Sequence, residues 1–183
     1  PRWDLVTGSF WFDASTGQAT LEDLDAVGTP AYIGGGACDP EQASKATLQN
    51  TYTDILNIGK IFGVTDRAER KVAEMKATLQ RVRTQLDGQR SIPVIFYSSG
   101  TSVLRLAGAG VNTEIIQLAG GRNIFADQED YFDASREAVA GAGAEVFIIS
   151  DYRPGMTGQQ KVEFLTRAFP GMAAKWQHNW PMI

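Results

Sequence analysis

The residues able to carry chemistry in this 183-residue chain are few and scattered. There is one cysteine, Cys38, and one histidine, His178, far apart in sequence, so neither a thiolate–imidazole pair nor a His/Cys metal set can be assembled from neighbours. Ser99 sits in Ser98-Ser99-Gly100-Thr101-Ser102, which is not a Gly-x-Ser-x-Gly elbow, and a triad there would need the distant His178. Gly34-Gly35-Gly36 lacks the Gly-Lys-Ser or Gly-Lys-Thr that completes a phosphate loop. Those glycines let the backbone turn or let a ligand come close. Gly108-Ala109-Gly110-Val111-Asn112-Thr113 begins like a dinucleotide fingerprint but carries Thr113 where the third glycine belongs. What remains is suited to recognition: Phe10, Trp11 and Phe12 in one run, Tyr97 with Ser98 and Ser99, Tyr131 with Phe132, and Tyr152 with Arg153. Such aromatic runs either wall a pocket or close the edge of a core.

The elements that must position these groups can be read from periodicity. From Thr65 to Leu86, Ala68, Val72, Met75, Leu79, Val82 and Leu86 recur at helical spacing while charged residues fill the other faces. This predicts an uninterrupted helix roughly 33 Å long, opened by Thr65 or Asp66 with Glu69 as a capping box and stopped at Asp87-Gly88. Before it, a strand ends at Gly8, a short helix capped by Thr20 runs from Leu21 to Gly28, and a strand resumes at Ala31-Tyr32-Ile33. That unit makes parallel neighbours. One helix is predicted from about Glu41 to Phe62, closed by Gly63. After the long helix, Ser91–Tyr97 and Ala144–Ser150 read as strands buried on both faces, each followed by a polar loop of the kind that binds ligands beyond the carboxyl ends of α/β sheets. Between them, Thr113 is read as the cap of a helix 114–118. A brief strand follows over 123–125, then a loop bearing Tyr131 and Phe132, then a helix capped by Ser135 with Glu137 in its first turn. A helix over 159–168 and a last strand candidate, Trp180–Ile183, complete the chain.

Composition bounds the class. With 43% hydrophobic and 21% charged residues the chain can bury a core. A net charge of -4 and the lack of a basic, aromatic-studded run argue against nucleic acid. No apolar run approaches the roughly 20 residues needed to span a bilayer.

The order of elements, with certain segments, resembles the substrate-binding proteins of ABC importers for ferric siderophores, haem and cobalamin. The segments are Trp3-Asp4-Leu5-Val6, Gly28-Thr29-Pro30, Asp54–Val64 leading through Asp66-Arg67-Ala68-Glu69, Leu118–Asp127 and Ala134-Ser135-Arg136-Glu137. The resemblance implies an α/β fold of two Rossmann-like lobes with mainly parallel sheets, joined by one long helix. Residues 1–64 would be part of the first lobe, 65–88 the linking helix and 89–183 most of the second, both lobes being incomplete and the chain an internal fragment. It implies no enzyme activity and no cofactor. A chelate would be held in a cleft by Phe10 and Trp11 on one side and by Tyr97, Ser98, Ser99, Tyr131, Tyr152 and Arg153 on the other. Glu137 would dock on an ABC permease. The ligand expected is a ferric siderophore ahead of cobalamin or haem, since no histidine lies near those positions. The setting expected is the periplasm or the outer surface of the cytoplasmic membrane, as a lipid-anchored monomer that does not itself span the membrane and engages no nucleic acid. The competing reading is an α/β enzyme binding a nucleotide or dinucleotide.

Overall fold

The computed structural model describes residues 3–8, 12, 14–36, 40–151 and 155–172. It divides into two compact units, Pro1–Thr78 and Leu79–Ile183. In the first, β1 (Val6–Gly8) and β2 (Ala31–Ile33) pair in parallel, Val6 opposite Ala31, with α1 (Leu21–Ala26) as the crossover. This is the strand–helix–strand unit expected from sequence. Thr20 and Asp23 form the capping box: the Thr20 hydroxyl accepts from the Asp23 N–H at 3.1 Å and the Thr20 N–H donates to the Asp23 carboxylate at 2.9 Å.

The single helix expected over 41–62 is two, α2 (Pro40–Lys45) and α3 (Leu48–Ile61). The break falls at Ala46-Thr47, where the Thr47 N–H donates to the Asn50 side chain at 2.9 Å. A threonine followed three residues later by an amide offers the backbone a helix start, and the chain takes it. The long helix, α4, spans Thr65–Leu86 as its periodicity requires. Ala68 and Val72 are buried, Met75, Leu79, Val82 and Leu86 are half-buried, and the charged positions are exposed. The division between the units falls inside this helix, after Thr78.

Packing in the first unit rests on Leu24, Leu48, Tyr52, Ala68 and Val72. The α3–α4 corner needs glycine twice. Gly63 takes a φ of +66°, and a Cβ placed on Gly59 would stand 2.4 Å from the Ala68 Cβ.

The second unit is built on a mixed sheet with two parallel and two antiparallel pairings. Its central strand, β3 (Ile92–Ser99), pairs in parallel with β7 (Val146–Ile149) along one edge. Its other edge is shared: β5 (Gly121–Asn123) pairs in parallel with Ile92–Val94, and β4 (Leu104–Ala107) pairs antiparallel with Phe96–Ser99. Beyond β4 lies β6 (Tyr131–Ala134), again antiparallel. Ile95, Tyr97, Leu104, Leu106 and Phe147 face a core closed by Val139 of α6 (Arg136–Gly141) and Leu165 of α7 (Gly158–Ala168). Val94 and Ile116 of α5 (Val111–Leu118) both crowd Gly121, where a Cβ would lie 3.0 and 2.7 Å from them. β7 is less enclosed than its apolar sequence suggests. Phe147 is 2% exposed, but Val146 and Ile148 are 37% exposed each, because among the described residues only one face of this strand is packed. The strand candidate Trp180–Ile183 lies outside the described residues.

Replacing Gly59 with Ala should destabilise the first unit by about 1–3 kcal/mol through overpacking against Ala68. The same change at Gly141, which has open space around it, should be close to neutral. Chemical denaturation of both variants checks the contrast, and equal stabilities would contradict the close crossing.

Candidate functional site

The polar groups at the carboxyl ends of β3 and β7 are held from several directions. Gly100, at φ +86°, turns the chain so sharply that a Cβ there would lie 2.0 Å from the Val103 carbonyl oxygen. The Tyr97 hydroxyl donates to the Gly100 carbonyl at 2.6 Å, and Arg136 Nε donates to the Thr101 carbonyl at 2.7 Å. The guanidinium of Arg136 also stands 5.3 Å from the Phe164 ring centroid, a cation–π contact. Lys161 of α7 is 2% exposed, and its ammonium donates to the carbonyls of Ser98 and Ser150. On the β7 side, the Asp151 carboxylate accepts from the Gly158 N–H at 2.7 Å where α7 begins. Backbone and side-chain groups from two strand ends are thus fixed before anything binds.

The expected site residues fall into distinct places. Ser99 is exposed and Ser98 half-buried at the end of β3, which runs through both serines where a loop was expected. Tyr97 is fully buried and packs 6.2 Å from the Phe164 ring. Burial raises its phenol pKa, and a pocket-facing role does not fit its placement. The alternation of a strand sends Ile95 and Tyr97 to the core face together. Tyr131 begins β6, correcting the loop expected there. It pairs with Ala107, opposite Phe96, whereas Ser99 pairs with Arg105 and then Asp133. That separates Tyr131 from Ser99 by roughly 10 Å along the strands. Tyr131 belongs instead with Asn112, whose side-chain N–H donates to its hydroxyl at 3.2 Å. Burial pushes the Tyr131 phenol up, the Asn112 donor opposes this, Asp130 adds to it and Arg105 offsets it. Phe10, Trp11, Tyr152 and Arg153 lie outside the described residues.

Glu137 is exposed in the first turn of α6, after the Ser135 cap. Its carboxyl titrates below the usual range, chiefly because it accepts from its own backbone N–H, then from the Ser135 hydroxyl.

Both glycine-rich segments are committed to internal contacts. The Gly35 N–H donates to both oxygens of Asp54, at 2.9 and 3.1 Å, and the Tyr32 hydroxyl donates to the same carboxylate at 2.7 Å. A carboxylate stands where a phosphate would need to be, which excludes the phosphate-loop reading. In the second segment α5 begins at Val111, so Thr113 is not its cap. Thr113 is 7% exposed, donates to the Gly108 carbonyl and accepts from Asn123 Nδ2 at 2.6 Å. A Cβ on Gly108 would meet the Glu129 carbonyl oxygen at 2.1 Å, so this glycine serves the close approach of two loops. A cavity of about 560 Å³, lined by residues including Arg83, Leu86, Glu114 and Gln117, lies at the amino ends of β3 and β5, away from the strand-end groups above.

Sequence reasoning passed over Lys161 and Asn123. The signal for Lys161 was present: it shares the apolar stripe of α7 with Leu165, where a lysine is out of place unless buried with acceptors. Asn123 stood in a quoted motif, but three of its four hydrogen-bond partners, Ala107, Gly108 and Thr113, come from other segments and leave no local trace.

Residues 40–174 match the family model described as "Periplasmic binding protein". The chain belongs to that family. Its members are substrate-binding components of transport, not enzymes. No curated protein matches the sequence. Among solved structures, a periplasmic binding protein from Veillonella parvula is 25% identical, with a TM-score of 0.78 over 92% of this chain and 57% of its own length. An ABC-type Fe3+-hydroxamate transport protein from Saccharomonospora viridis (20% identity, TM-score 0.71, 93% of this chain and 58% of its own) shares the fold. So does the periplasmic vitamin B12 binding protein of Vibrio cholerae (21%, 0.65, 95% and 62%). The chain therefore spans about three fifths of the length of these family structures. Among the described residues no helix is long and apolar enough to cross a membrane, and no group of three or more His, Cys, Asp or Glu side chains is placed to hold a metal ion.

Two outcomes follow from these contacts. Thr113→Gly restores the third fingerprint glycine, yet it should confer no NAD binding and should cost about 1–3 kcal/mol of stability by stripping buried partners from Gly108 and Asn123. Calorimetric titration with NAD and thermal unfolding check it. Ser135→Ala should cost about 1 kcal/mol as a lost helix cap and move the Glu137 titration up toward the ordinary carboxylate range. Because the native value is depressed, the stability linked to Glu137 is present above the ordinary range and lost as pH falls through the folded-state value. Carboxyl NMR titration reads this directly, and an unmoved Glu137 would rule out the Ser135 contribution.

Proposed function

We propose that this chain is the ligand-capturing part of an ABC import system that takes up a ferric siderophore-type chelate and delivers it to a membrane permease. The observation that carries the reading is the family match across residues 40–174. It is supported by the named relatives, which include an Fe3+-hydroxamate transport protein and a B12-binding protein, and by the prearranged polar groups at the ends of β3 and β7. Ser98 and Ser99 offer hydroxyls to the oxygen-rich periphery of a chelate. Phe10, Trp11, Tyr131, Tyr152 and Arg153 are the further contacts this reading assigns, with Arg153 supplying charge-assisted bonds to an anionic ligand. Exposed Glu137 is assigned to the permease, whose arginines it would pair with. No cofactor is required, since the iron arrives within the ligand. The setting is extracytoplasmic, as for the family, with a lipid anchor as its means of retention at the membrane.

The dinucleotide-enzyme reading loses its footing because both glycine segments spend their amides and hydroxyls internally. Tryptophan fluorescence decides between the two. The full-length protein should be quenched saturably by at least one of a ferric hydroxamate, a ferric catecholate, haem or cobalamin, and not by NAD or ATP. Quenching by NAD alone would overturn the proposal.

A further inference from the structure

Lys161 is the one nearly inaccessible cation among the described residues, and the acceptors of its hydrogen bonds are backbone carbonyls alone. It is 2% exposed, and its ammonium bonds the Ser98 and Ser150 carbonyls. Those carbonyls lie one residue past Tyr97↔Ile149, the last register pair of the β3–β7 ladder. Among the described residues no carboxylate comes within ion-pair distance of the ammonium, and the nearby Asp151 carboxylate accepts from Gly158. The Tyr97 ring also stands nearby, 6.0 Å from Nζ to the centroid. A desolvated ammonium satisfied only by carbonyl dipoles keeps its net charge, and low dielectric extends that charge's reach.

We propose that Lys161 is a positioning and specificity-determining residue for ligand capture: it ties the end of β3 to the end of β7, and its charge, with no carboxylate at ion-pair distance, tilts the site toward anionic chelates. The first half concerns the protein alone. The second rests on the binding reading given above. A purely structural lysine would support the whole core of the second unit. Lys161 instead hydrogen-bonds the sheet only at the carboxyl ends of β3 and β7, while Tyr97 and Arg136 hold the far side of the 98–103 turn independently.

Lys161→Met keeps the aliphatic length and removes both charge and donors, and Lys161→Gln keeps donors without charge. In the full-length protein without ligand, amide hydrogen exchange in Lys161→Met should accelerate roughly tenfold or more in residues 98–103, 150–151 and 155–157, given the strength of hydrogen bonds to a charged group. Exchange in β3 from Ile92 to Tyr97 and in β4 and β5 should be unchanged, and Lys161→Gln should recover part of the protection. Exchange that is unaltered, or raised throughout the unit, overturns the tie, as does failure of both variants to fold. For the charge, affinity for ferric tris-catecholate, an anion, should fall by about tenfold more than affinity for neutral ferric tris-hydroxamate in both variants, as expected for loss of a screened but partly buried charge. Equal losses overturn the specificity role. If the unsubstituted protein binds neither probe, the chelate reading and the specificity role fall together, and the exchange experiment still decides whether Lys161 ties the strand ends.

Discussion

The second unit depends on how one edge of β3 is divided between two strands. β5 occupies that edge as far as Val94, and β4 takes it over from Phe96. Strands running in opposite directions cannot meet end to end without leaving backbone groups unpaired, and buried unpaired groups are costly. Asn123, the last residue of β5, resolves this. Its side-chain N–H groups donate to the carbonyls of Ala107 and Gly108 at 3.0 and 3.1 Å and to the Thr113 hydroxyl, and its side-chain oxygen accepts from the Phe125 N–H at 3.1 Å. At 2% exposure the group is removed from bulk solvent, so protein partners carry its hydrogen bonds. The amide completes the sheet edge, anchors the first turn of α5 and fixes where the chain goes next.

That arrangement explains a motif whose meaning sequence alone leaves open. In Ala119-Gly120-Gly121-Arg122-Asn123, Gly120 takes a φ of +81° as α5 ends. Gly121 has no room for a side chain, since a Cβ there would lie 2.7 Å from Ile116 and 3.0 Å from Val94. The two glycines bring the strand close enough for the asparagine to reach its acceptors. The same logic governs Gly34-Gly35-Gly36 and Gly108-Ala109-Gly110. Glycine after a strand permits close approach of backbone, and whether the approaching partner is a phosphate or the protein itself is decided by residues elsewhere, here Asp54 and Thr113.

What could be read from sequence was what is local. The α4 stripe, the Thr20–Asp23 box and the Ser135 cap depend on residues three and four apart, and each stands where its spacing puts it. Tyr97 and Tyr131 were legible as aromatic residues near strand ends but not as to face or row. Which side a strand residue takes depends on the partner strand's register, and β4, which sets that register for both, was not recognised as a strand at all. The break before α3 was missed for the opposite reason: a local signal, Thr47 with Asn50, was outweighed by an apolar periodicity that runs across it.

The strand ends of β3 and β7 pose the same problem as the β4–β5 gap, answered differently. Beyond the last ladder pair, strand carbonyls need donors, and a loop exposed to solvent would take them from water. Ser98 and Ser150 take theirs from Lys161, so the two loops are constrained at their roots. A binding surface gains from this because loops already ordered lose less entropy on meeting a ligand, at roughly 0.5–1.5 kcal/mol for each rotamer-rich side chain that need not be immobilised. The cost of burying an ammonium is a reason such an anchor would be rare on stability grounds alone, since apolar groups fill a core more cheaply than a desolvated charge. A lysine there, in a helix whose other inward residues include Leu165 and Phe164, is better accounted for by what the strand ends must present than by what the core must hold.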